Sequence, residues 1–276
     1  MYGAMLGDII GSPYEFDRGK KVKDFPFFDK GCGFTDDTVM TAAVAEALMD
    51  VIELQEKMGT VDEEKIRCLL VDFMQKWGKK YPNAGYGYRF SNWLLMENPK
   101  PYNSFGNGSA MRVSAAGWLF DDLETVRKMA RLTSDVTHNH PEGIKGAESV
   151  ASAIFMARIG KTKEEIKEYI QKEFRYDFSR TCDEIRPVYR HVESCQETVP
   201  EAFTAFFEAN GFEDVIRTAV SLGGDVDTLT AIAGSMAEAF YGVPEEFKEM
   251  CRLYVADDIL EVADRFWNKV EYKVIK

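Results

Sequence analysis

A short glycine-containing stretch, residues 223–234, constrains the fold more than any other part of the sequence. It reads Gly223-Gly-Asp-Val-Asp-Thr-Leu-Thr-Ala-Ile-Ala-Gly234. The two leading glycines permit a tight turn of the backbone, and the residues that follow have the pattern of a helix start. The small side chains of Ala231, Ala233 and Gly234 leave room for a close neighbour. The stretch therefore predicts a helix packed closely against another part of the chain.

The rest of the chain has helical periodicity as well. Gly3, Gly7 and Gly11 recur at every fourth position and place one smooth face on a helix. Further helical patterns cover residues 41–48, 63–79, 142–159, 163–174, 200–209, 212–222, 244–254 and 257–269. We find no convincing strand pattern, repeat or linker, and we interpret the polar segment 176–198 as an excursion over the surface. The sequence predicts a single all-α domain over residues 1–276.

Composition limits the classes of partner. With 34 basic and 46 acidic residues the formal net charge is −12, which disfavours broad contact with nucleic acid. The five cysteines are scattered without a Cys-x-x-Cys pair, which favours a reducing compartment over a disulfide framework. No apolar run is long enough to span a bilayer, and residues 1–16 lack the features of a signal peptide. We expect a cytoplasmic monomer that binds neither nucleic acid nor membranes.

Two predicted helices begin with the same kind of residues. Asp225, Asp227 and Thr228 precede one helix, and the segment Thr35-Asp-Asp37 precedes another. Either group alone is typical of a helix cap, since Asp and Thr are favoured there. Two such groups, with Glu15 as a third acidic position, indicate a pair of clusters that face each other. Because all their ligand atoms are oxygens, they favour Mg²⁺ or Mn²⁺ over zinc, with room for two ions about 3.5–4 Å apart.

Two further segments contain candidate binding residues. Residues 104–117 form a glycine loop that opens a helix, where backbone N–H groups can cradle a phosphate. No lysine follows in the frame of a Walker motif. His138 and His140 stand between two helical patterns without a third soft ligand nearby, so we interpret them as hydrogen-bonding or structural residues.

Five motifs occur in one order along the chain: Gly3-Ala-Met-Leu-Gly-Asp8 followed by Glu15-Phe16, Phe34-Thr-Asp-Asp-Thr38, Gly106-Asn-Gly-Ser-Ala-Met-Arg112, Thr137-His138, and Gly223-Gly-Asp-Val-Asp-Thr228 with Ala231-Ile-Ala-Gly234. With these motifs the sequence resembles the ADP-ribosylglycohydrolases, a family that includes dinitrogenase reductase-activating glycohydrolase. The resemblance spans residues 3–234. It departs at Val226, where many members carry Thr, and at Ser109, where Ala is more frequent; Ser109 adds a hydroxyl that we expect in the phosphate loop.

The resemblance implies a compact orthogonal helical bundle with two Mg²⁺ or Mn²⁺ ions in a central cleft. It also implies hydrolysis of the glycosidic bond between ADP-ribose and an acceptor, which is a protein side chain such as arginine or serine, or a small conjugate. By analogy the metal ligands are Thr35, Asp36, Asp37, Asp225, Asp227 and Thr228. Asp36 and Glu15 are the candidate catalytic carboxylates. The implied ligand-binding residues are Gly106, Asn107, Gly108, Ser109 and His138.

Other readings of the acidic motifs are weaker. An isoprenoid synthase would need Asp-Asp-x-x-Asp, but in the motif that begins at Asp36 the fifth position is Met40. A His-Asp phosphohydrolase would need a His-Asp pair, which the sequence lacks. The serious alternative is a non-catalytic, ADP-ribose-binding or crystallin-like member of the same fold. Such a protein would be expected to lose acidic ligands, and this chain keeps the whole set.

Overall fold

The computed structural model describes residues 1–16 and 18–274, and in these ranges it contains helices and no strand. The helices are α1 (Tyr2–Gly11), α2 (Asp36–Met58), α3 (Glu63–Lys80), α4 (Tyr88–Leu94), α5 (Gly108–Met111), α6 (Ser114–Leu119), α7 (Leu123–Asp135), α8 (Pro141–Arg158), α9 (Lys163–Phe174), α10 (Cys182–Ile185), α11 (Cys195–Glu208), α12 (Phe212–Leu222), α13 (Val226–Tyr241), α14 (Glu245–Tyr254) and α15 (Asp257–Val274). A 3-10 turn, Ser12–Tyr14, follows α1. The prediction of an all-α fold is confirmed. No helix in the described ranges is both long and apolar enough to cross a membrane.

Helices α1 and α13 lie at the centre and touch through their backbones. A Cβ atom on Gly3 would lie 2.1 Å from the carbonyl oxygen of Gly234, and one on Gly7 would lie 2.3 Å from that of Thr230. A Cβ on Gly11 would lie 2.7 Å from Cα of Asp227. In these contacts the residue numbers increase along α1 while they decrease along α13, so the two helices run antiparallel. The C-terminal end of α1 therefore meets the N-terminal end of α13.

The other helices enclose this pair. Helices α2, α8, α11 and α12 pack against α13, and α2 and α14 pack against α1. Every residue of α1 is buried, as are the first thirteen residues of α13, Val226–Glu238. One apolar core extends from Met1 to Val270 and includes side chains from most helices. The start of α13 and Asp37 of α2 are thus held within the core, whereas Asp36 is partly exposed where α2 begins.

Most helix predictions agree with the structure, but the bounds of α2, α11 and α15 differ. The pattern at 41–48 ends at residue 48 although α2 continues to Met58, and the pattern at 257–269 ends before α15 does at Val274. The patterns at 63–79, 163–174 and 212–222 match α3, α9 and α12 within one residue. The helix predicted to begin at Pro200 begins instead at Cys195, because the carbonyl oxygen of Ser194 accepts the N–H groups of Glu197 at 3.2 Å and Thr198 at 2.9 Å. Pro200 lies inside α11, and its missing N–H and its ring affect the bond to the carbonyl of Gln196 but not the two bonds to Ser194, so the turn before it can form.

The interpretation of residues 176–198 as a surface excursion is only partly correct. The segment is irregular apart from α10 and the first turn of α11, as predicted. However, Tyr176, Phe178, Ile185 and Tyr189 are buried in the core. These four apolar residues are separated by polar ones, so the sequence shows no apolar periodicity that would predict their burial.

The backbone contact between α1 and α13 gives a test of the fold. We expect Gly7→Ala to lower the free energy of unfolding by about 3 kcal/mol or more, because the new methyl group meets backbone that cannot rotate away. Urea titration followed by circular dichroism measures the change. Gly33→Ala is the matched control, since a Cβ there meets nothing within 4 Å, and its stability should stay within about 1 kcal/mol of the parent. Equal stability of the two variants would contradict the close contact.

Candidate metal centre and ligand cleft

A cleft of about 400 Å³ opens where the ends of α1, α2 and α13 meet. Its walls are formed by these helix ends, the loops at 85–90 and 102–108, and a short part of segment 176–198. The predicted site residues that line it are Glu15, Asp36, Asp37, Gly106, Asn107, Gly108, His138, Asp225, Asp227 and Thr228. Thr35 and Ser109 do not line the cleft. The structure therefore brings residues from opposite ends of the sequence into one site.

The carboxylates form two groups that share one residue. Asp8, Asp37 and Asp227 each place an oxygen within 4.8 Å of the others, and so do Glu15, Asp225 and Asp227. Asp227 belongs to both groups because it lies in the first turn of α13, against the end of α1. Two adjacent cation positions with Asp227 between them fit this arrangement.

Asp8 is the main site residue that reasoning from the sequence did not assign a role. It lies in the middle of α1 and is fully buried. Its carboxylate accepts the backbone N–H groups of Thr35 at 2.8 Å and Thr38 at 3.0 Å, together with both threonine hydroxyls at 2.8 and 2.5 Å. Asp8 thus caps the start of α2 from another helix. The sequence does contain a sign of this role. Asp8 is the carboxylate on an otherwise apolar helix with a glycine face, and a buried carboxylate needs hydrogen-bond partners.

Neighbouring polar groups orient the other carboxylates. The hydroxyl of Thr228 donates to Oδ2 of Asp37 at 3.1 Å, and the side-chain amide of Asn107 donates to Oδ2 of Asp225 at 2.6 Å. Asp37 keeps one buried oxygen, Oδ1, without a hydrogen-bond partner among the described residues. Buried polar atoms of this kind are uncommon unless a ligand, water or ion completes them.

Burial raises the pKa of every carboxyl in the cluster, and the charges of neighbouring carboxylates raise it further at Glu15, Asp36, Asp37 and Asp227. Burial, followed by the charges of Asp8 and Asp225, raises the pKa of Asp36 from 3.8 to about 8. Burial and the charge of Asp225 raise the pKa of Glu15 from 4.5 to about 7. The pKa values of Asp37 and Asp227 are raised well above 3.8, again first by burial.

The donor set fits hard divalent cations. It consists of carboxylate and hydroxyl oxygens, contains no sulfur, and is confined by buried helix ends. A cation would relieve the repulsion that otherwise keeps protons on these carboxyls. Thr35 stands just behind this set, with its hydroxyl donated to Asp8.

The glycine loop forms the wall next to the acidic cluster. Asn107 connects the loop to the cluster, because its side-chain amide donates to Asp225. The same amide also donates to the hydroxyl of Thr198 at 3.1 Å. The hydroxyl of Ser109 is fully buried and donates to the carbonyl oxygen of Gly143 at 2.8 Å, so it does not face the cleft, and its part in ligand binding stays a prediction. Ser109 fastens the loop to α8, and sequence spacing gave no information on the direction of its side chain.

The two histidines differ in role. His138 lines the cleft, and burial together with the charges of Arg112 and Arg89 holds its pKa well below the usual range. His140 caps α8, since its Nδ1 accepts the N–H of Glu142 at 3.1 Å. The interpretation of these residues as hydrogen-bonding groups agrees with both contacts.

Additional residues at the rim were not singled out as site residues from the sequence. Tyr88 and Tyr102 line the cleft, and the ring centroid of Tyr102 lies 5.9 Å from that of His138. Phe16 and Glu193 lie on the side of Glu15, where the ring of Phe16 is 4.7 Å from that of His191. Only the fold brings these loop residues beside the acidic cluster.

Comparisons with known proteins agree with this architecture. The family model described as ADP-ribosylglycohydrolase matches residues 1–273. The chain is 27% identical to human ADP-ribosylhydrolase ARH3, over 94% of this chain and 89% of that protein. It is 26% identical to ADP-ribosylarginine hydrolase Tri1 of Pseudomonas putida, over 90% of this chain and 72% of that protein.

A solved structure described as an ADP-ribosylglycohydrolase-related protein complex has the same fold. It superposes with a TM-score of 0.72 and covers 97% of this chain and 95% of its own, at 21% sequence identity. The match of the family model over nearly the whole sequence is the stronger finding, because it includes both acidic helix starts and the glycine loop. The chain belongs to the ADP-ribosylglycohydrolase family.

Proposed function

We propose that this protein is a hydrolase that depends on two Mg²⁺ or Mn²⁺ ions and releases ADP-ribose from an ADP-ribosylated side chain or small conjugate. The observation that carries the proposal is the pair of acidic groups sharing Asp227, set beside the glycine loop in one cleft. The relatives named for hydrolysis of ADP-ribosyl and ADP-ribosylarginine bonds support the same reaction class.

The proposed ligands are Thr35, Asp36, Asp37, Asp225, Asp227 and Thr228, with Glu15 and Asp8 beside them. When bound, divalent cations would orient ribose hydroxyls and lower the pKa of a water molecule. The chain itself supplies rigidity: Asp8 fixes the start of α2, and Asn107 fixes Asp225 relative to the glycine loop. Residues 106–108 and His138 are proposed to hold the phosphates and ribose of the ligand.

Glu15 and Asp36 are proposed to handle the proton. Cleavage of the bond at C1 of ribose passes through an oxocarbenium-like state, which needs an activated water and a protonated leaving group. Carboxyls whose pKa values lie near neutrality suit this task, because they can both accept and return a proton. Both groups line the cleft, and without cations the pKa of Glu15 is about 7 and that of Asp36 about 8; bound cations would lower both values.

Release of ADP-ribose is the direct test of the reaction. We expect release from an ADP-ribosyl-arginine or an ADP-ribosyl-serine peptide with Mg²⁺ or Mn²⁺, and its loss in EDTA, measured by chromatography of the products. Addition of the metal after EDTA should restore activity. Binding of ADP-ribose without release from either peptide would favour the non-catalytic alternative, and release unaffected by EDTA would contradict the metal dependence.

Substitution of the shared carboxylate separates metal binding from folding. We expect Asp227→Asn to reduce turnover by more than about 100-fold, because both proposed cation positions lose a charged ligand. The same variant should melt at a higher temperature than the parent in EDTA at pH 7, since Asn needs neither a buried charge nor the proton that Asp227, with its raised pKa, takes up on folding. Asp183→Asn is the matched control, because that side chain is 87% exposed and does not line the cleft. Undiminished turnover of Asp227→Asn would overturn the proposed centre.

The raised pKa values predict how the metal-free protein responds to pH. The carboxyl of Asp36 titrates near 3.8 when unfolded and at about 8 when folded, so between these values folding takes up a proton. Stability then falls as pH rises, because the folded state binds more protons than the unfolded state. In EDTA we expect the melting temperature to decrease from pH 6.5 to 8, and saturating Mg²⁺ or Mn²⁺ to oppose the decrease. Differential scanning calorimetry measures both profiles; a rising profile in EDTA would contradict the prediction.

A further inference from the structure

Arg112 is a buried cation that no described carboxylate neutralises by an ion pair. Only 1% of the residue is exposed, yet it lines the cleft. Its guanidinium lies over the ring of Phe90, 5.6 Å from the centroid. Nη2 donates to the carbonyl oxygen of Thr133 at 3.1 Å and to the hydroxyl of Thr137 at 2.7 Å. Because arginine can only donate, the hydroxyl of Thr137 must act as an acceptor toward Arg112.

The single hydrogen of the Thr137 hydroxyl has two candidate acceptors. Nδ1 of His138 lies at 2.7 Å, and the carbonyl oxygen of Ser134 lies at 3.4 Å. That carbonyl already accepts the backbone N–H groups of His138 at 2.7 Å and Thr137 at 3.1 Å, so both of its lone pairs are engaged. Distance and acceptor capacity both direct the hydroxyl hydrogen to Nδ1 of His138.

A hydrogen bond accepted at Nδ1 determines the state of the other ring nitrogen. His138 is 6% exposed, and its pKa is held well below the usual range by burial and by the charges of Arg112 and Arg89. A neutral imidazole that accepts at Nδ1 carries its hydrogen on Nε2. Nε2 lies 3.3 Å from the positions that a Cβ would take on Gly106 and on Gly108. The two glycines therefore leave Nε2 uncovered on the side of the loop.

We propose that Arg112 and Thr137 are positioning residues that fix His138 as the tautomer protonated on Nε2, so that His138 offers an uncharged hydrogen-bond donor to an acceptor oxygen of the ligand. The assignment of the tautomer stands on the hydrogen bonds alone. The identity of the acceptor as a phosphate or sugar oxygen of ADP-ribose rests on the proposed function. An uncharged donor suits this cleft, because it binds an oxygen without adding a positive charge near cation sites.

Nitrogen-15 NMR of the imidazole rings in the full-length, metal-loaded protein tests the tautomer directly. The chain has three histidines, and His138→Gln identifies the signal of His138 by its disappearance. We expect Nε2 to give the signature of a protonated nitrogen and Nδ1 that of an unprotonated one. The opposite tautomer, or a doubly protonated ring at pH 7, would overturn the proposal. This measurement needs no variant of Arg112 or Thr137 to fold.

Two substitutions of Thr137 test the link to ligand binding. We expect Thr137→Val to weaken ADP-ribose binding about threefold to tenfold and to redistribute the tautomers of His138, because the fixing hydrogen bond is lost. Thr137→Ser keeps the hydroxyl and should bind within about twofold of the parent, as measured by calorimetry. Parent-like affinity and an unchanged tautomer in Thr137→Val would overturn the role of Thr137.

The readouts also separate this inference from the proposed reaction. If the parent binds ADP-ribose with His138 protonated on Nε2 but releases no ADP-ribose from conjugates, the reaction fails and the inference stands. If conjugates are hydrolysed while His138 carries its hydrogen on Nδ1, the reaction stands and the inference fails.

Discussion

The contact between the backbones of α1 and α13 is the constraint on which the rest of the structure depends. Antiparallel packing through Gly3, Gly7 and Gly11 sets the end of α1 against the start of α13. That single geometry places Asp8 and Glu15 beside Asp227. Because any side chain at Gly3 or Gly7 would meet a carbonyl oxygen, the two helices have one close register. The acidic cluster is therefore a product of helix packing rather than of a mobile loop.

In the absence of cations the buried acidic cluster lowers the free energy of unfolding. The surrounding hydrogen-bond donors and helix starts offset only part of this loss. Asp8 is satisfied by two backbone and two hydroxyl donors, while Asp37 keeps an unpartnered oxygen. The start of a helix favours negative charge, which helps at both α2 and α13. Burial, together with the remaining repulsion, raises the pKa values of Asp36 and Glu15. The same uncompensated charge is what makes the site suitable for a divalent ion.

Local sequence rules predicted the helices and the acidic helix starts because those features depend on neighbours along the chain. Thr35 caps α2 as expected, and the glycine spacing of α1 indicated its packing face. The direction of Ser109, the role of Asp8 and the earlier start of α11 depend on residues far away in sequence. The tautomer of His138 likewise depends on Arg112, which the motif contains but whose direction the motif does not reveal. Motif spacing in the sequence identified most of the residues that line the cleft. The contacts that each side chain makes depend on tertiary packing.

The close backbone contact between α1 and α13 and the exposed rim of the cleft differ in how freely their residues can be substituted. At Gly3 and Gly7, any larger side chain would clash with the backbone of α13, so these positions cannot accept other residues without a shift of the helices. At the rim of the cleft, Tyr88 is 84% exposed, and a Cβ on Gly87 meets nothing within 4 Å. Rim positions can change without disturbing the carboxylates, since loops tolerate variation that packed helices do not. The lining of the cleft can therefore change on this scaffold while the geometry of the acidic cluster stays fixed.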